Sequence, residues 1–422
     1  MAVIDGWPYG LLMSSTLDHV VIIGGGIGGP VLALFLRKLG IRSTIYEAHP
    51  APSNVGGCFQ IAPNGMNVLA ALGLAERVAA SSVPSRTFAF RSDRGRLLAR
   101  FENGRLERCG RAASTALRSH LQAIILDEVA REGIAIEYGK RLSGVDGTQP
   151  GLVTARFEDG TRADGDLLVG ADGVWSRTRA SALPGGLEPR YTGTLGLGAM
   201  VRAADVPAAC QADLSAITFA MGPSRMFGYC GVLDHAGRPA WGWWVHHHQE
   251  QLPTKDELAA VKTSELRSRL LEDYAGWAEP VPSLLEHSEA IFKIPIYDLD
   301  PLPAWHAGRT VLLGDAAHAM SPSAGQGASL ALEDAMFLAH SLGDATLPLE
   351  RRLATYERGR RPRVEQIAAR ARQNDARQRG TLGPIASWMR ERMLSLMMPV
   401  VGERSLRSTY EYRVPWDRPP AA

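Results

Sequence analysis

Three clusters of glycine and acid have the types and spacing to do chemistry. In "VVIIGGGIGG", Val20 to Gly29, the pattern Gly24-x-Gly26-x-x-Gly29 directly follows an apolar run. Glycines at this spacing let the backbone turn tightly and approach a pyrophosphate. The helix that follows presents unpaired N–H donors and the positive end of its dipole to an anion. Ile27, Gly28 and Gly29 sit at that helix start, and Glu47 with Ala48 closes the next apolar run. A carboxylate about 20 residues past such a turn takes the hydroxyl pair of a ribose, and favours FAD or NAD over NADP. A second cluster, "LLVGADGVWSRTR", runs into Asp172-Gly173 and ends at Arg179. The third, "VLLGDAAHAMSPSAGQGASLALEDA", places Gly314-Asp315 after an apolar strand, then Pro322 and Gly325-Gln326-Gly327 before a helix from about Ala328. An aspartate at a strand end binds a sugar or ribityl hydroxyl. The N–H groups of Gly325 to Ala328 are expected to point into the same crevice.

These residues need a scaffold. Val20 to Ile23 is a β-branched apolar run of the kind a buried parallel strand uses. Helical spacing from Val31 to Leu39 stops at Gly40, and Ser43 to Tyr46 reads as the next strand. We read a mixed α/β chain: a discontinuous Rossmann-like dinucleotide domain over 13–75, 105–182 and 290–345, with a mostly β substrate domain inserted at 76–104 and 183–289. Within the insert, "AITFAMGP", "RMFGYCGVL" and "PAWGWWVHHH" suit strands of a sheet. Phe219, Met221, Met226, Phe227, Tyr229 and Trp243 are its candidate pocket wall. Region 346–422 turns helical. Its Arg-rich segment from Arg351 to Arg379 reads as a solvated face interrupted at Pro362. The spacing of Ile385, Met389, Met393, Leu396 and Val400 reads as helix-packing core. Residues 1–12 read as a loose extension, with Met13 an alternative start.

Composition bounds the partners. The chain has 422 residues and a formal net charge of +2, so nothing in its balance points to nucleic acid. The run from Val20 to Leu36 is nearly uncharged, but its glycines and Pro30 argue for strand, turn and helix instead of a membrane span. No signal peptide is visible. Cys58, Cys109, Cys210 and Cys230 lack metal or disulfide spacing, which points to free thiols in a reducing cytoplasm. His246 to His248 cannot converge on a metal from consecutive strand positions, so no metal is expected. His318, just past Gly314-Asp315, is expected in packing or loop hydrogen bonding, not as a base.

In order and form, the three clusters resemble the dinucleotide turn, the Asp-Gly motif and the Gly-Asp motif of single-component FAD-dependent monooxygenases. That group contains para-hydroxybenzoate hydroxylase, salicylate hydroxylase, zeaxanthin epoxidase and the tetracycline-inactivating hydroxylase. "GGCFQIAPNGMNVLAALGL", the Arg-x-x-Leu of "LRSHL" and "YERGRRPR" extend the resemblance over roughly Asp18 to Arg363. It implies one extended FAD: adenosine at Gly24 to Gly29 and Glu47, flavin at Asp315, Pro322 and Gly325 to Gly327, and Arg118 on the flavin side. It also implies NADH or NADPH as electron donor, docking transiently near Asp172 and Arg179. Dioxygen is then activated as a flavin hydroperoxide that hydroxylates or epoxidises a small molecule. Where many relatives show Trp-Arg after "YTG", this chain reads "LGLGAM", which implies an apolar pocket for a polycyclic aromatic or terpenoid-like substrate. The alternatives are an FAD-dependent reductase of the same fold or, through the partial match of "WGWWVH", a halogenase. Oligomeric state is left open.

Overall fold

The computed structural model describes residues 17–52, 57–183, 187–207, 213–378 and 383–416. The expected extension 1–12, Met13 and Cys210 lie outside the described residues.

The β-branched run after Asp18 forms the strand His19–Ile23 at the centre of a six-stranded sheet. Parallel neighbours Arg42–Glu47 and Leu167–Gly170 flank it, and Ala135–Tyr138 and Thr310–Leu312 lie outside those. All three motif-bearing segments therefore leave one sheet at the same edge. One face of the sheet is covered by helices, including Gly28–Lys38 and Gly327–Leu342, around a core with Ile22, Val31, Phe35, Val311 and Leu338. A three-stranded antiparallel sheet covers the other face, with Leu142, Val153 and Phe157 packed on Val21, Ile23 and Leu168. This buries both faces, as a parallel sheet requires.

The inserted region forms a seven-stranded sheet in the order Phe292–Asp298, Arg190–Arg202, Pro239–His248, Met226–Leu233, Ala216–Met221, Thr87–Ser92, Leu97–Glu102. Phe292–Asp298, expected in the dinucleotide region, instead completes this sheet by pairing with Arg190–Arg202.

Two expectations for the later helices are corrected. Leu349–Gln378 runs through Pro362 as one 30-residue helix. Burial of Tyr356 before the proline and of Val364 and Ile367 after it holds both halves against the body. Nor is its arginine content simply solvated: Arg352 and Arg360 are fully buried. In the last helix, Pro384–Tyr410, the stripe read as packing core faces outward instead. Among the described residues no helix is long and apolar enough to cross a membrane.

Candidate active site

The Gly-rich turn sorts its glycines by what surrounds them. A Cβ on Gly24 would lie 2.4 Å from the Ala171 carbonyl oxygen, and one on Gly28 2.4 Å from Leu313. One on Gly29 would lie 2.2 Å from the Gly24 oxygen. Backbone atoms alone require glycine at Gly24 and Gly29, and the Leu313 side chain crowds Gly28. Gly26 differs, because its Cβ would meet only Arg118 Nη2, at 3.5 Å. At the other end of the crevice, a Cβ on Gly325 would meet only Gln60 Oε1 and one on Gly327 only Asp315 Oδ1, each at 3.9 Å. Gly26 and Gly327 thus leave a cradle that the protein itself does not fill. It runs from the Gly28–Lys38 helix start to the Gly327–Leu342 helix start, with two positive dipole ends directed at it.

The acids divide in the same way. Glu47 accepts the Gly25 N–H at 2.6 Å and the His49 N–H at 2.8 Å, which fixes its half-buried carboxylate against the turn. Ala48 beside it is half-buried. Asp315 begins a short helix after Gly314. Solvent reaches its side chain although protein packs closely around it, so it faces a crevice. Desolvation raises its pKa above the usual carboxylate range, His318 and Arg118 oppose that, and Asp334 reinforces it. Arg118 opens the helix Arg118–Arg131 with its guanidinium between Gly26 and Asp315. The arginine is exposed, and its side chain has no hydrogen-bond or ion-pair partner among the described residues.

Several expected ligand residues support the site without facing it. Asp172 accepts from the Ser176 hydroxyl at 2.6 Å and the Thr178 N–H at 2.9 Å, which caps the helix Arg177–Ala182. Gly173 is the left-handed turn between them, at φ 74°. Arg179 is buried, and its guanidinium donates to the carbonyls of Leu187, Ala316 and Val174. Buried and donating to three carbonyls, it positions Ala316, the residue after Asp315. The Gln326 side chain is buried against Asn64 Nδ2 at 3.1 Å, leaving only its backbone near the crevice. The Gly325 N–H is taken by the Pro322 oxygen at 2.8 Å, so the donors left at that loop start beyond it. Pro322 opens an exposed 3-10 turn and Ala328 the first turn of the following helix.

Beneath the flavin-side loops lies a buried ionic network that sequence reasoning missed. His318 Nε2 lies 2.6 Å from Asp334, whose other oxygen accepts from Arg360 Nε at 2.7 Å. Arg360 Nη2 pairs with Glu333 at 2.7 Å. Glu333 also accepts from Asn64 at 2.6 Å and from Arg363 at 2.8 Å. His318 is thereby a structural partner with its ring against Trp305, as the sequence suggested. The network joins the Gly-Asp turn, the Gly325–Gly327 loop and the late helix.

The opposite wall comes from the seven-stranded sheet, and strand parity divides its six expected residues. Phe227, Tyr229 and Trp243 pack with Tyr274 and Leu284 under the helices of 255–286, and Trp243 Nε1 donates to Ser288 at 2.8 Å. They are core, not pocket wall. Phe219 lies on the other face, as do Met221 and Met226, which pair with one another. The pairing registers align Phe90, Phe219, Gly228, Trp244, Gly198 and Phe292 straight across six strands on that face. Trp244 lies over Gly228, where a Cβ would sit 2.2 Å from its ring, and Phe292 lies over Gly198 at 2.3 Å. Phe219 stacks on Phe90 at 5.3 Å and meets Trp244 edge-on at 5.9 Å. The row reaches the crevice at Gly57, whose Cβ would sit 3.4 Å from Phe292 and whose carbonyl accepts the Arg118 N–H. The signal for Trp244 was present in "WGWWVH", but a run of aromatic residues does not say which parity faces inward.

A parallel-sheet dinucleotide turn, a second helix start with a crevice aspartate, and an aromatic sheet facing both define a flavin-dependent oxygenase fold. The chain belongs to the FAD binding domain family, which matches residues 18–371, and it is an FAD-dependent monooxygenase. It is 32% identical over 386 residues to an aurachin C monooxygenase/isomerase of Stigmatella aurantiaca, covering 90% of this chain and 94% of that one. It is 34% identical to a salicylate hydroxylase of Pseudomonas putida, covering 94% and 91%. A structure of Klebsiella pneumoniae HpxO complexed with FAD and uric acid matches with a TM-score of 0.79 at 27% identity, covering 93% of this chain and 96% of that one.

Proposed function

We propose that this enzyme inserts one atom of dioxygen into a flat, apolar aromatic or terpenoid-like small molecule, by hydroxylation or epoxidation, with NADH or NADPH as electron donor. One observation carries the substrate class: the row of rings alternating with glycines on the inner sheet face. Gly228 and Gly198 let Trp244 and Phe292 lie down on the sheet, giving a floor for stacking with no charged side chain in the row.

The open cradle fits an extended FAD. Glu47 would hold the adenosine ribose, Gly26 the pyrophosphate, and Asp315 a ribityl hydroxyl. Arg118, the uncommitted cation beside Gly26 and Asp315, would neutralise pyrophosphate charge. When bound, FAD supplies the passage of electrons from NAD(P)H to dioxygen and the activation of oxygen. The chain's own residues do the rest. The N–H groups at the start of Gly327–Leu342 stabilise negative charge developing beside them. The aromatic floor excludes water and orients the substrate.

Turnover of an aromatic panel under heavy-isotope dioxygen tests the reaction. One labelled oxygen in the product is expected, and none from labelled water. Label from water, or turnover without oxygen, replaces the monooxygenase reading with a reductase of the same fold. Trp244→Ala should raise KM for the best substrate about tenfold through lost stacking. An unchanged KM removes the floor from substrate recognition.

A further inference from the structure

The last helix is packed on one side and apolar on the other, exposed side. Its inward side mixes small or polar groups, Ser387, Ser395 and Gly402, with Leu406 and Tyr410, and Gly402 rests against Phe101 of the substrate sheet. Ion pairs Arg96–Glu391 and Arg105–Glu403, and a hydrogen bond from Arg390 to the Gly222 carbonyl, clamp it in place. Its outward side carries Ile385, Trp388, Met389, Met393, Leu396 and Val400, each more than half exposed. Fifteen large apolar side chains are exposed among the described residues, and eight of them lie on this helix between Ile385 and Val401. At 1.5 Å per residue the stripe is about 24 Å long. Its exposed area is on the order of 1,000 Å², above the few hundred Å² usual on a monomer and close to the ~800 Å² per partner of a standard interface.

We propose that this face is a homodimer interface, in which the last helix of one copy packs on the last helix of a second copy across a two-fold axis. Three features favour a second copy. The area matches what a stable dimer buries on each side. The other exposed apolar residues are spread over other elements, such as Leu106, Trp175 and Leu252, so the described residues offer no second patch of this size for a head-to-tail contact. A single patch serves both partners only in an isologous two-fold arrangement. Finally, among the described residues the basic content of this helix is low for drawing it to anionic lipid: four arginines are offset by Glu391 and Glu403, and of the four only Arg392 and Arg404 are exposed. Arg392 stacks on Trp388, while Arg390 and Arg407 already have partners. Because Gly402 of the same helix rests on Phe101, dimerisation also braces the edge of the substrate sheet.

Sedimentation of the full-length, FAD-loaded enzyme tests this. The wild type is expected to be a dimer at micromolar concentration. Leu396→Glu and, independently, Met393→Glu should yield monomers. Each substitution enters a two-fold interface twice, so a weakening of at least about 100-fold is expected. Both side chains are outward, so FAD content and circular dichroism should be unchanged, which separates loss of contact from loss of fold. A monomeric wild type overturns the proposal, whether the stripe is then covered by another part of the chain or stays bare. So does a variant that remains dimeric. Co-sedimentation of the wild type as a monomer with phosphatidylglycerol vesicles, lost in Leu396→Glu, would make the face a membrane contact and also overturn it.

Discussion

At the scale of single residues, the glycines carry the clearest test. Gly24, Gly28 and Gly29 are small because protein atoms crowd them, whereas Gly26 is small for something the chain itself does not supply. Gly26→Val should therefore fold, with Arg118 moving slightly, and fail to hold FAD. Its affinity should fall at least about 100-fold, because a branched side chain occupies the space a pyrophosphate needs. Fluorescence titration of the apoprotein with FAD measures the first quantity and thermal melting the second. Tight FAD binding by a folded Gly26→Val places the pyrophosphate elsewhere. The sequence showed the spacing and the two acids, Glu47 and Asp315. It could not show that Gly24 and Gly26 serve different needs, because spacing does not record what lies across the turn. Arg179 and Gln326 misled for a related reason. Residue type announces a polar group, but only tertiary packing decides whether it faces a ligand or a neighbouring carbonyl.

At the scale of elements, the buried network holds the flavin-side loops to the late helix. Arg360 is its hub, fully buried between Glu333 and Asp334. Arg360→Met keeps the volume but removes the one cation shared by two buried carboxylates, leaving Glu333 to Arg363 and Asn64 and Asp334 to His318. We expect a loss of about 3–5 kcal/mol in urea denaturation, with weaker FAD binding because Gln326 and Gly314 are anchored through the same carboxylates. A loss below about 1 kcal/mol would mean that water or the loops compensate for the missing charge. The alternation of strand and helix made the dinucleotide region legible, since its strands are apolar runs closed by glycine. The substrate sheet was legible as strands but not in facing. Helices cover its outer face, so both parities are apolar, nothing polar marks the outside, and the pattern does not separate Trp243 from its neighbour Trp244. The late helix concealed its network for the converse reason. In a run dense with arginine, the buried members look like the solvated ones; Glu333 and Asp334 on another helix mark out Arg360, and the carbonyls of Leu342 and Leu347 mark out Arg352.

At the scale of the whole molecule, the same carboxylates predict how the fold fails in acid. Burial pushes Asp334 toward the protonated form, but Arg360 and His318 outweigh it and hold its pKa below the ordinary value. Glu357 follows the same pattern, with burial opposed by His306, the Trp305 N–H and Arg361. A carboxyl whose folded pKa lies below its unfolded value adds stability above the unfolded value, about 4, and that contribution disappears as pH falls through the folded one. Between about pH 6 and 8 both contributions are fully present, so neither group should make stability change with pH there. Below about pH 4.5 the urea midpoint should drop with each step toward acid. Asp334→Asn should start from a less stable protein and show a shallower drop. Because the network spans the Gly314 turn, the Gly325–Gly327 loop and the late helix, flavin release and loss of tertiary structure should coincide on acidification. Flavin fluorescence and near-ultraviolet circular dichroism, followed together from pH 6 to pH 3, distinguish the outcomes. Coincident transitions, with the slope reduced in Asp334→Asn, place the acid-sensitive core under the cofactor. Flavin lost well before the fold, with an unchanged slope in the variant, would place it elsewhere in the chain.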